Sequence, residues 1–215
     1  MNGVNKQLEE IGGVPVFVMS ALKFERSDRV GEVIITAPEG RTDEYGALAR
    51  ERGVSKLTAV VAGGETRARS VMNALEKVSP NADYIAVHDG ARPLIATSDI
   101  ERVIADAERL GAAIAAAPAA DTVKSAENGF VKGTLPRNEL YLAQTPQVFR
   151  KELYLSCLER LGSQADGVTD DSSLLELCGM PVGITEISGC NIKITRPHDL
   201  IAARAVYELG KAGTV

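Results

Sequence analysis

VHDGARPL, residues 87–94, is the stretch from which the fold of this chain can be worked out. The apolar run at 84–87 predicts a buried strand, and Gly90 indicates that a loop follows it. In open α/β sheets, ligands bind beside the carboxyl ends of the strands. Asp89 stands at such an end, where its hard oxygens suit a divalent cation, and Gly90 lets a ligand approach the backbone. The stretch therefore predicts an α/β sheet with a ligand site at residues 88–92.

Plainer interpretations of the same residues stay open. Asp89 and Arg92 could form an ion pair that only stabilises the loop. His88 is better explained as a hydrogen-bonded structural histidine than as a base, because the chain has two histidines in all.

Segments typical of strands and helices alternate along most of the chain, which predicts a mostly parallel sheet with helices on both faces. A capping box at Ser98 and Glu101 is expected to start one helix, and Gly111 is expected to end it. The predicted strands are 32–37, 57–61, 84–88 and 112–117, and the predicted helices are 66–78, 98–110, 151–160, 169–177 and 197–209.

Between about residues 119 and 138 the alternation stops, and an inserted β-arm is predicted. Two short strands, 122–125 and 130–134, flank Asn128-Gly129, and Asn-Gly between such runs is the strongest short hairpin signal. A two-stranded arm has little core of its own. We therefore expect it to be stabilised mainly by packing on something else, such as a second subunit.

Composition narrows the class of protein. At 215 residues, one domain spanning 1–215 is expected. The net charge of −5 argues against nucleic acid as a partner. No apolar run reaches the length of a membrane span, so no membrane role is expected. The three cysteines have no metal-type spacing, which favours reduced thiols and a cytoplasmic location.

Further clusters could bind anions. The run GGETRARS, 63–70, places two glycines before a helix start, where backbone N–H groups bind phosphates, although a tight turn with solvated arginines explains it equally well. Arg137, in PRN at the end of the arm, suits bidentate phosphate recognition, but a surface arginine is the commoner case. A further polar run, QTPQ, follows at 144–147.

Two more features have competing interpretations. In NIKIT, 191–195, a strand would turn Lys193 away from its isoleucine neighbours, either to solvent or towards a site. Asp170 and Asp171 resemble a metal pair, but a position just after Thr169 favours acids that complement a helix dipole.

Together these motifs are similar to one family over nearly the whole chain, the 2-C-methyl-D-erythritol 4-phosphate cytidylyltransferases of the non-mevalonate isoprenoid pathway. The matching stretches are NKQLEEIGG (5–13), GGETRARS (63–70), VHDGARP (87–93), DTVK (121–124), PRNELYLAQTPQVF (136–149), TDDSSLLE (169–176) and NIKITRPHDL (191–200).

The resemblance implies a Rossmann-like nucleotidyltransferase fold with a protruding β-arm for dimerisation. It implies transfer from CTP to methylerythritol phosphate, with release of pyrophosphate and with Mg²⁺ as the cofactor. By motif, Lys6 stabilises charge on the α-phosphate, Arg137 and Lys193 position the substrate phosphate, and Asp89 holds the metal. Residues on the arm would serve the partner's site. The substrate- and nucleotide-binding residues it implies are Gly64, Arg67, Ser70, Asp89, Gly90, Arg92, Thr122 and Thr145.

The match departs from the family at the start of the chain. A first strand and a glycine-rich loop normally precede the segment around Lys6, whereas Met1–Asn5 joins it directly and Asn5 replaces the usual proline. This predicts a truncated start, poor CTP binding and slow turnover. A version extended upstream should then be more active, and equal activity would contradict the truncation.

Two alternatives to this function remain. A ribitol 5-phosphate (pentitol-phosphate) cytidylyltransferase would share the fold and most motifs. A catalytically impaired dimeric paralogue, acting as a binding protein, would lack metal-dependent CTP binding, although retention of Lys6, Asp89, Arg137 and Lys193 argues against it.

Overall fold

Residues 6–187 and 189–212 are described by the computed structural model, and within them lie ten strands and seven α-helices. The strands are β1 (Glu10–Ile11), β2 (Val14–Pro15), β3 (Val33–Ala37), β4 (Leu57–Ala62), β5 (Tyr84–Val87), β6 (Ala112–Pro118), β7 (Lys124–Glu127), β8 (Phe130–Thr134), β9 (Tyr141–Arg150) and β10 (Gly183–Glu186). The α-helices are α1 (Val16–Glu25), α2 (Thr42–Glu51), α3 (Arg67–Leu75), α4 (Thr97–Leu110), α5 (Lys151–Leu161), α6 (Asp171–Leu177) and α7 (Pro197–Lys211). Two 3₁₀-helices lie at Arg137–Glu139 and Gly162–Gly167.

The main sheet has the strand order β10-β6-β9-β5. Strand β10 runs parallel to β6, but β9 runs antiparallel to both of its neighbours. Strands β3 and β4 form a separate parallel pair, which no described backbone hydrogen bond joins to the main sheet. The α/β class is confirmed, and the sheet is mixed because the long strand β9, which the sequence patterns did not indicate, returns from the arm in the opposite direction.

Helices cover both faces of the main sheet, as predicted. On one face, α4 packs its buried Ile100, Val103 and Ile104 against Ala113 of β6 and Val148 of β9. On the other face, residues of α5 and α6 pack against Ala112 and Phe149, the sequence neighbours of those strand residues. This alternation follows from the two-residue repeat of side chains along a strand.

Helix ends differ in part from the sequence prediction. Gly111 ends α4 in the left-handed conformation, with φ 90°, as expected. The predicted capping box is wrong, since α4 begins at Thr97 after Ala96 and no side chain caps it. The Glu101 carboxylate accepts instead from the Ser27 hydroxyl, at 3.1 Å. That contact takes the glutamate away from the helix start.

The segment 191–195 was predicted as a strand, and this is wrong. Its backbone groups bond to the loop after β5 instead of to a neighbouring strand: the Ile194 N–H donates to the Ala91 carbonyl at 2.8 Å. The expected alternation of side chains is still present, because Ile194 is fully buried and Lys193 is exposed. The segment therefore packs along the loop, with Ile194 towards the protein interior and Lys193 on the exposed side.

The arm is a hairpin of β7 and β8. Asn128 and Gly129 form its turn with φ 51° and 82°, the positive values that a two-residue hairpin turn of this kind needs. Its first strand lies two residues later than predicted. Phe130 and Val131 are 79% and 67% exposed, so the arm buries little apolar surface within the chain.

The helices and the start of the chain bear on two further predictions. In the part of the chain that the structure describes, no helix is long and apolar enough to cross a bilayer. The predictions for Met1–Asn5 concern positions outside the described residues.

Candidate active site

The loop after β5 brings three charged side chains together. The Lys193 ammonium lies 2.9 Å from Asp89 Oδ2, and the Arg92 Nε lies 3.2 Å from the same oxygen. Lys193 comes from the segment beside the loop, far along the chain. The predicted ion pair of Asp89 with Arg92 is present, and Lys193 joins it, so the two cations flank one carboxylate.

The charge state of Asp89 follows from these contacts. Burial alone would raise the pKa of its carboxyl, but the hydrogen bond from Lys193, its charge and that of Arg92 outweigh burial. The pKa of Asp89 therefore lies below its ordinary value. Asp89 is an anion at neutral pH.

Hydrogen bonds hold the loop closed around His88. The Asp89 N–H donates to Thr145 Oγ1 at 3.0 Å, and Thr145 Oγ1 lies 3.1 Å from His88 Nδ1. His88 Nε2 lies 3.1 Å from the Arg92 carbonyl, which can only accept. The neutral ring with its proton on Nε2 satisfies all three contacts, so the Thr145 hydroxyl donates to Nδ1.

The surroundings of His88 favour that neutral ring. Removal of the ring from water lowers the pKa of His88 from 6.5 to about 4, and its hydrogen bonds only partly oppose this. Phe24 packs on the ring at 4.9 Å between centroids. His88 is thus a structural residue of the loop, in agreement with the sequence interpretation.

Asn191 connects the loop to β9. Its side-chain amide donates to the backbone carbonyl of Thr145 at 2.9 Å, and the backbone carbonyl of Asn191 accepts from Arg92 Nη1 at 2.7 Å. Arg92 is 9% exposed. Arg92 therefore donates its hydrogen bonds to the loop and to Asn191, whereas Lys193 is the more accessible of the two cations.

The run 63–70 forms the start of α3. Thr66 caps this helix by accepting from the Arg69 N–H, and Ser70 Oγ accepts from the Gly64 N–H at 3.0 Å. A side chain at Gly64 would collide with Arg69. Glycine is therefore required at position 64 for the backbone to fold back on the helix, and the residue is exposed beside the helix start.

Arg67 turns from this helix start towards α6. Its Nη2 lies 2.5 Å from Asp171 Oδ2, and Asp171 is 2% exposed. Although burial lowers the pKa of Arg67, the hydrogen bond and charge of Asp171 and the charge of Asp89 raise it overall. The α3 start and the Asp89 loop therefore share one electrostatic environment.

Asp170 and Asp171 do not form a metal pair. Asp170 caps α6 by accepting from the Ser173 N–H at 3.1 Å, and its other oxygen accepts from Gln147 Nε2 at 2.7 Å. Asp171 pairs with Arg67. The preference for a helix-start role is confirmed for Asp170, which is the N-cap of α6, and the helix begins two residues later than predicted.

Lys6 lies in a turn beside the same loop. Its neighbour Gln7 accepts from the Tyr45 hydroxyl at 3.1 Å, and a methyl group added at Gly90 would lie 3.6 Å from Gln7 Nε2. The Gly90 carbonyl accepts from the Ser20 hydroxyl at 3.1 Å. The residue that follows Lys6 in the chain therefore lies beside Gly90 and the Asp89 loop.

Thr122 and Arg137 are not joined to this cluster within the chain. Both are exposed, and the Arg137 Nη1 donates to the Ala120 carbonyl at 2.9 Å, at the base of the arm. No hydrogen bond or ion pair among the described residues connects either of them to the Asp89 loop. Within one chain, the structure thus brings Asp89, Arg92 and Lys193 together and leaves the two arm residues apart from them.

A metal ion would find a single carboxylate here. No group of three or more His, Cys, Asp or Glu side chains among the described residues is arranged to hold one. Mg²⁺ is commonly bound through one or two carboxylates together with substrate phosphates and waters. Asp89 fits that mode, in which a triphosphate supplies most of the ligands.

Some contributors to the site have no sequence signal. Tyr154 donates its hydroxyl to Asp171 Oδ1 at 2.8 Å, but nothing in the α5 sequence indicates this. Gln147 receives the Ser172 N–H at 2.9 Å and so ties β9 to α6. Its position in QTPQ marked it as a residue of interest, and the partner became visible only in the fold.

Comparisons with known proteins find relatives that match most of the chain. A cytidylyltransferase from Pelotomaculum thermopropionicum is 41% identical over 205 residues, 94% of this chain and 86% of that protein. A solved structure titled 4-diphosphocytidyl-2C-methyl-D-erythritol synthase, from Anaerococcus prevotii, has a TM-score of 0.85 at 29% identity and covers 93% of this chain and 88% of its own. A 2-C-methyl-D-erythritol 4-phosphate cytidylyltransferase from Thermus thermophilus has a TM-score of 0.79 at 29% identity, with 94% of each chain covered.

The family model described as "IspD: 2-C-methyl-D-erythritol 4-phosphate cytidylyltransferase" matches residues 1–208. Sequence motifs, fold and the cluster around Asp89 point the same way. The chain belongs to the 2-C-methyl-D-erythritol 4-phosphate cytidylyltransferase family, whose members are nucleotidyltransferases.

Proposed function

We propose that this protein joins CTP to 2-C-methyl-D-erythritol 4-phosphate. An oxygen of the substrate phosphate attacks the α-phosphorus of CTP, and the bond from that phosphorus to the bridging oxygen breaks. Pyrophosphate leaves, and 4-diphosphocytidyl-2-C-methyl-D-erythritol remains. The attacking oxygen is already ionised at neutral pH, so the reaction needs placement and charge neutralisation rather than a general base.

The observation that carries this proposal is the contact of Lys193 with Asp89. Its ammonium is held 2.9 Å from Asp89 Oδ2 and its side chain is 41% exposed, so the lysine is both oriented and accessible. Such a cation can neutralise one of two mutually repelling phosphates without being reoriented during the reaction. Lys193 and, from the arm, Arg137 position the substrate phosphate.

The nucleotide would lie along the start of α3. Gly64 is exposed there and has no side chain to obstruct a ligand, and Ser70 holds its backbone in place. Arg67 adds positive charge, and Lys6 stabilises the α-phosphate. Gly90, Arg92 and Thr145 shape the loop against which the nucleotide rests. These roles agree with the anion-binding character of a helix start that follows glycines.

Asp89 would hold Mg²⁺ together with the triphosphate oxygens. When bound, the ion supplies neutralisation of charge on the displaced pyrophosphate. The anionic state of Asp89, which its two cationic neighbours favour, keeps it ready as a ligand.

The exposed arm is the reason for including a second subunit in the proposal. Thr122 and Arg137 are exposed, and no described contact joins them to the Asp89 loop of their own chain. Apolar side chains on the hairpin also face solvent. A homodimer in which each arm reaches the other subunit's site accounts for both facts. A cytoplasmic location, without nucleic acid or membrane as partner, is part of the proposal.

Pyrophosphate release tests the function. Wild-type protein with CTP, Mg²⁺ and methylerythritol phosphate should release pyrophosphate faster than with ribitol 5-phosphate. Lys193→Met should lower the rate by about 10²-fold or more, and Lys77→Met, a change at an exposed lysine after α3, should not. A higher rate with ribitol phosphate would replace the proposed substrate.

Calorimetry separates an enzyme from a binding paralogue. Titration of CTP should show binding that depends on Mg²⁺. CTP binding that is absent, or that stays the same when Mg²⁺ is removed, would contradict the enzyme proposal.

A further inference from the structure

A buried carboxylate lies behind the arginine at the start of α3. Asp171 is 2% exposed and lies 2.5 Å from Arg67 Nη2, whereas the Arg67 side chain is 35% exposed. The arginine thus has one end of its guanidinium fixed inside the protein and the rest near the surface. A guanidinium has five N–H donors, and among the described residues Asp171 is its sole ion-pair partner.

A tyrosine fixes the carboxylate in turn. The Tyr154 hydroxyl donates to Asp171 Oδ1 at 2.8 Å, and Tyr154 is 3% exposed. Burial and the neighbouring negative charge raise the pKa of Tyr154, so it keeps its proton and remains a donor. One Asp171 oxygen therefore faces the tyrosine and the other faces Arg67.

The orientation of Arg67 follows from this chain of contacts. An arginine side chain carries several rotatable bonds and would lose its rotamer freedom only when a ligand bound. The buried carboxylate removes that freedom beforehand. The charge of Asp89 also helps to raise the pKa of Arg67, so the guanidinium lies within electrostatic reach of the Asp89 loop.

We infer that Asp171 and Tyr154 are positioning residues that hold Arg67 ready for the phosphates of the nucleotide. The inference rests on the proposed function. Neither residue touches the nucleotide, and each acts through Arg67. Their loss should weaken CTP binding more than it slows the chemical step, because the ordering of Arg67 is then left to the binding event.

The same helix offers a matched control pair. Arg69 and Asp166 also join α3 to a following segment, with 3.0 Å between Nη2 and Oδ2. Their side chains are 53% and 33% exposed, so this pair is solvated. Asp166→Asn therefore removes a carboxylate partner from α3 without touching the buried pair.

The test measures CTP affinity by calorimetry in Asp171→Asn, Tyr154→Phe and Asp166→Asn. We expect CTP to bind about tenfold more weakly in Asp171→Asn and a few-fold more weakly in Tyr154→Phe. Asp166→Asn should bind as the wild type does. Steady-state kinetics of Asp171→Asn should show a raised KM for CTP with a kcat reduced much less.

A double-mutant cycle distinguishes positioning from a general structural effect. In an Arg67→Met background, adding Asp171→Asn should change CTP affinity no further, because the group through which Asp171 acts is gone. This double variant removes both charges of the ion pair together and leaves neither unpaired, so it should fold even if Asp171→Asn alone does not. A further loss of CTP affinity in the Arg67→Met background would overturn the inference.

Different results would overturn the proposed function and the positioning role of Asp171 and Tyr154. Wild-type protein that binds no CTP would overturn the proposed function and this inference with it. Wild-type CTP binding with unchanged affinity in Asp171→Asn and Tyr154→Phe would overturn this inference alone.

Discussion

Lys193 in the loop cluster and Arg137 on the arm are both cations assigned to the same substrate phosphate, yet their settings are opposite. Lys193 is fixed by a mostly buried carboxylate, in a loop whose polar groups are paired with one another. Arg137 is exposed and contacts a backbone carbonyl of its own arm. One half of the proposed site is therefore organised by packing within the chain, whereas Arg137 has no described contact with the residues of that half.

The comparison teaches that stability and activity should separate by region. Changes in the loop cluster should affect both, because the same contacts hold the fold and the reactive groups. Changes on the arm should affect activity and assembly while the free energy of unfolding of each chain stays nearly constant.

Asp89→Asn should have the largest effect. It removes the charge that orients Lys193 and the ligand proposed for Mg²⁺, so pyrophosphate release should fall by about 10²–10³-fold. The free energy of unfolding should fall by about 2 kcal/mol, since Arg92 loses its charged partner inside the protein. Urea unfolding and the release assay measure the two effects, and Asp83→Asn, a change at an exposed aspartate before β5, serves as control. Full activity in Asp89→Asn would remove the loop cluster from the site.

Arg137→Ala should lower activity by about 10–100-fold while the free energy of unfolding changes by less than about 0.5 kcal/mol. Mixing it with Asp89→Asn tests whether the site is shared. A mixed dimer carries one site built from two intact halves, so an equal mixture should recover about a quarter of wild-type activity. If Arg137 instead serves its own chain, the mixture will stay as inactive as its components.

The pH dependence of stability should reveal His88. Its pKa in the folded chain is about 4, against 6.5 for the free side chain, so the unfolded chain binds a proton first as the pH falls. The stabilising contribution is therefore complete above about pH 6.5 and is lost towards pH 4. From about pH 7 to about pH 5 the loss should be about 2 kcal/mol.

Urea unfolding of His88→Asn at both pH values checks this. The variant should lack the His88 share of the pH dependence, while His198→Asn, at an exposed histidine, should retain it. An equal pH dependence in wild type and His88→Asn would show that the ring is not held neutral.

Phe130→Ser should have the smallest effect. The side chain is 79% exposed, so the free energy of unfolding of the dissociated chain should change by less than about 0.5 kcal/mol. Dimer dissociation, followed by sedimentation, should become about tenfold easier if the arm packs on a second subunit. Ile201→Ser, at a 67% exposed position on α7, is the control. Equal dissociation in both variants would exclude Phe130 from the dimer interface.

Local patterns were enough for several elements. The start of α3 close to Thr66, the end of α4 at Gly111 and the Asn128-Gly129 turn each depend on a few neighbouring residues, and each was predicted from the sequence. Strand β9 was missed because its residues 141–150 pair in both directions with distant strands, and such pairing leaves no local period.

The sequence by itself determined the α/β class, the family and the identity of the charged residues, because these depend on residue types at short spacing. Tertiary structure alone decided that Lys193 meets Asp89, that Asp171 lies under Arg67, and that segment 191–195 lines a loop instead of joining a sheet. The physical reason is that each of these contacts joins residues distant in the chain, through an oriented ion pair or backbone bond that only the packed elements can align.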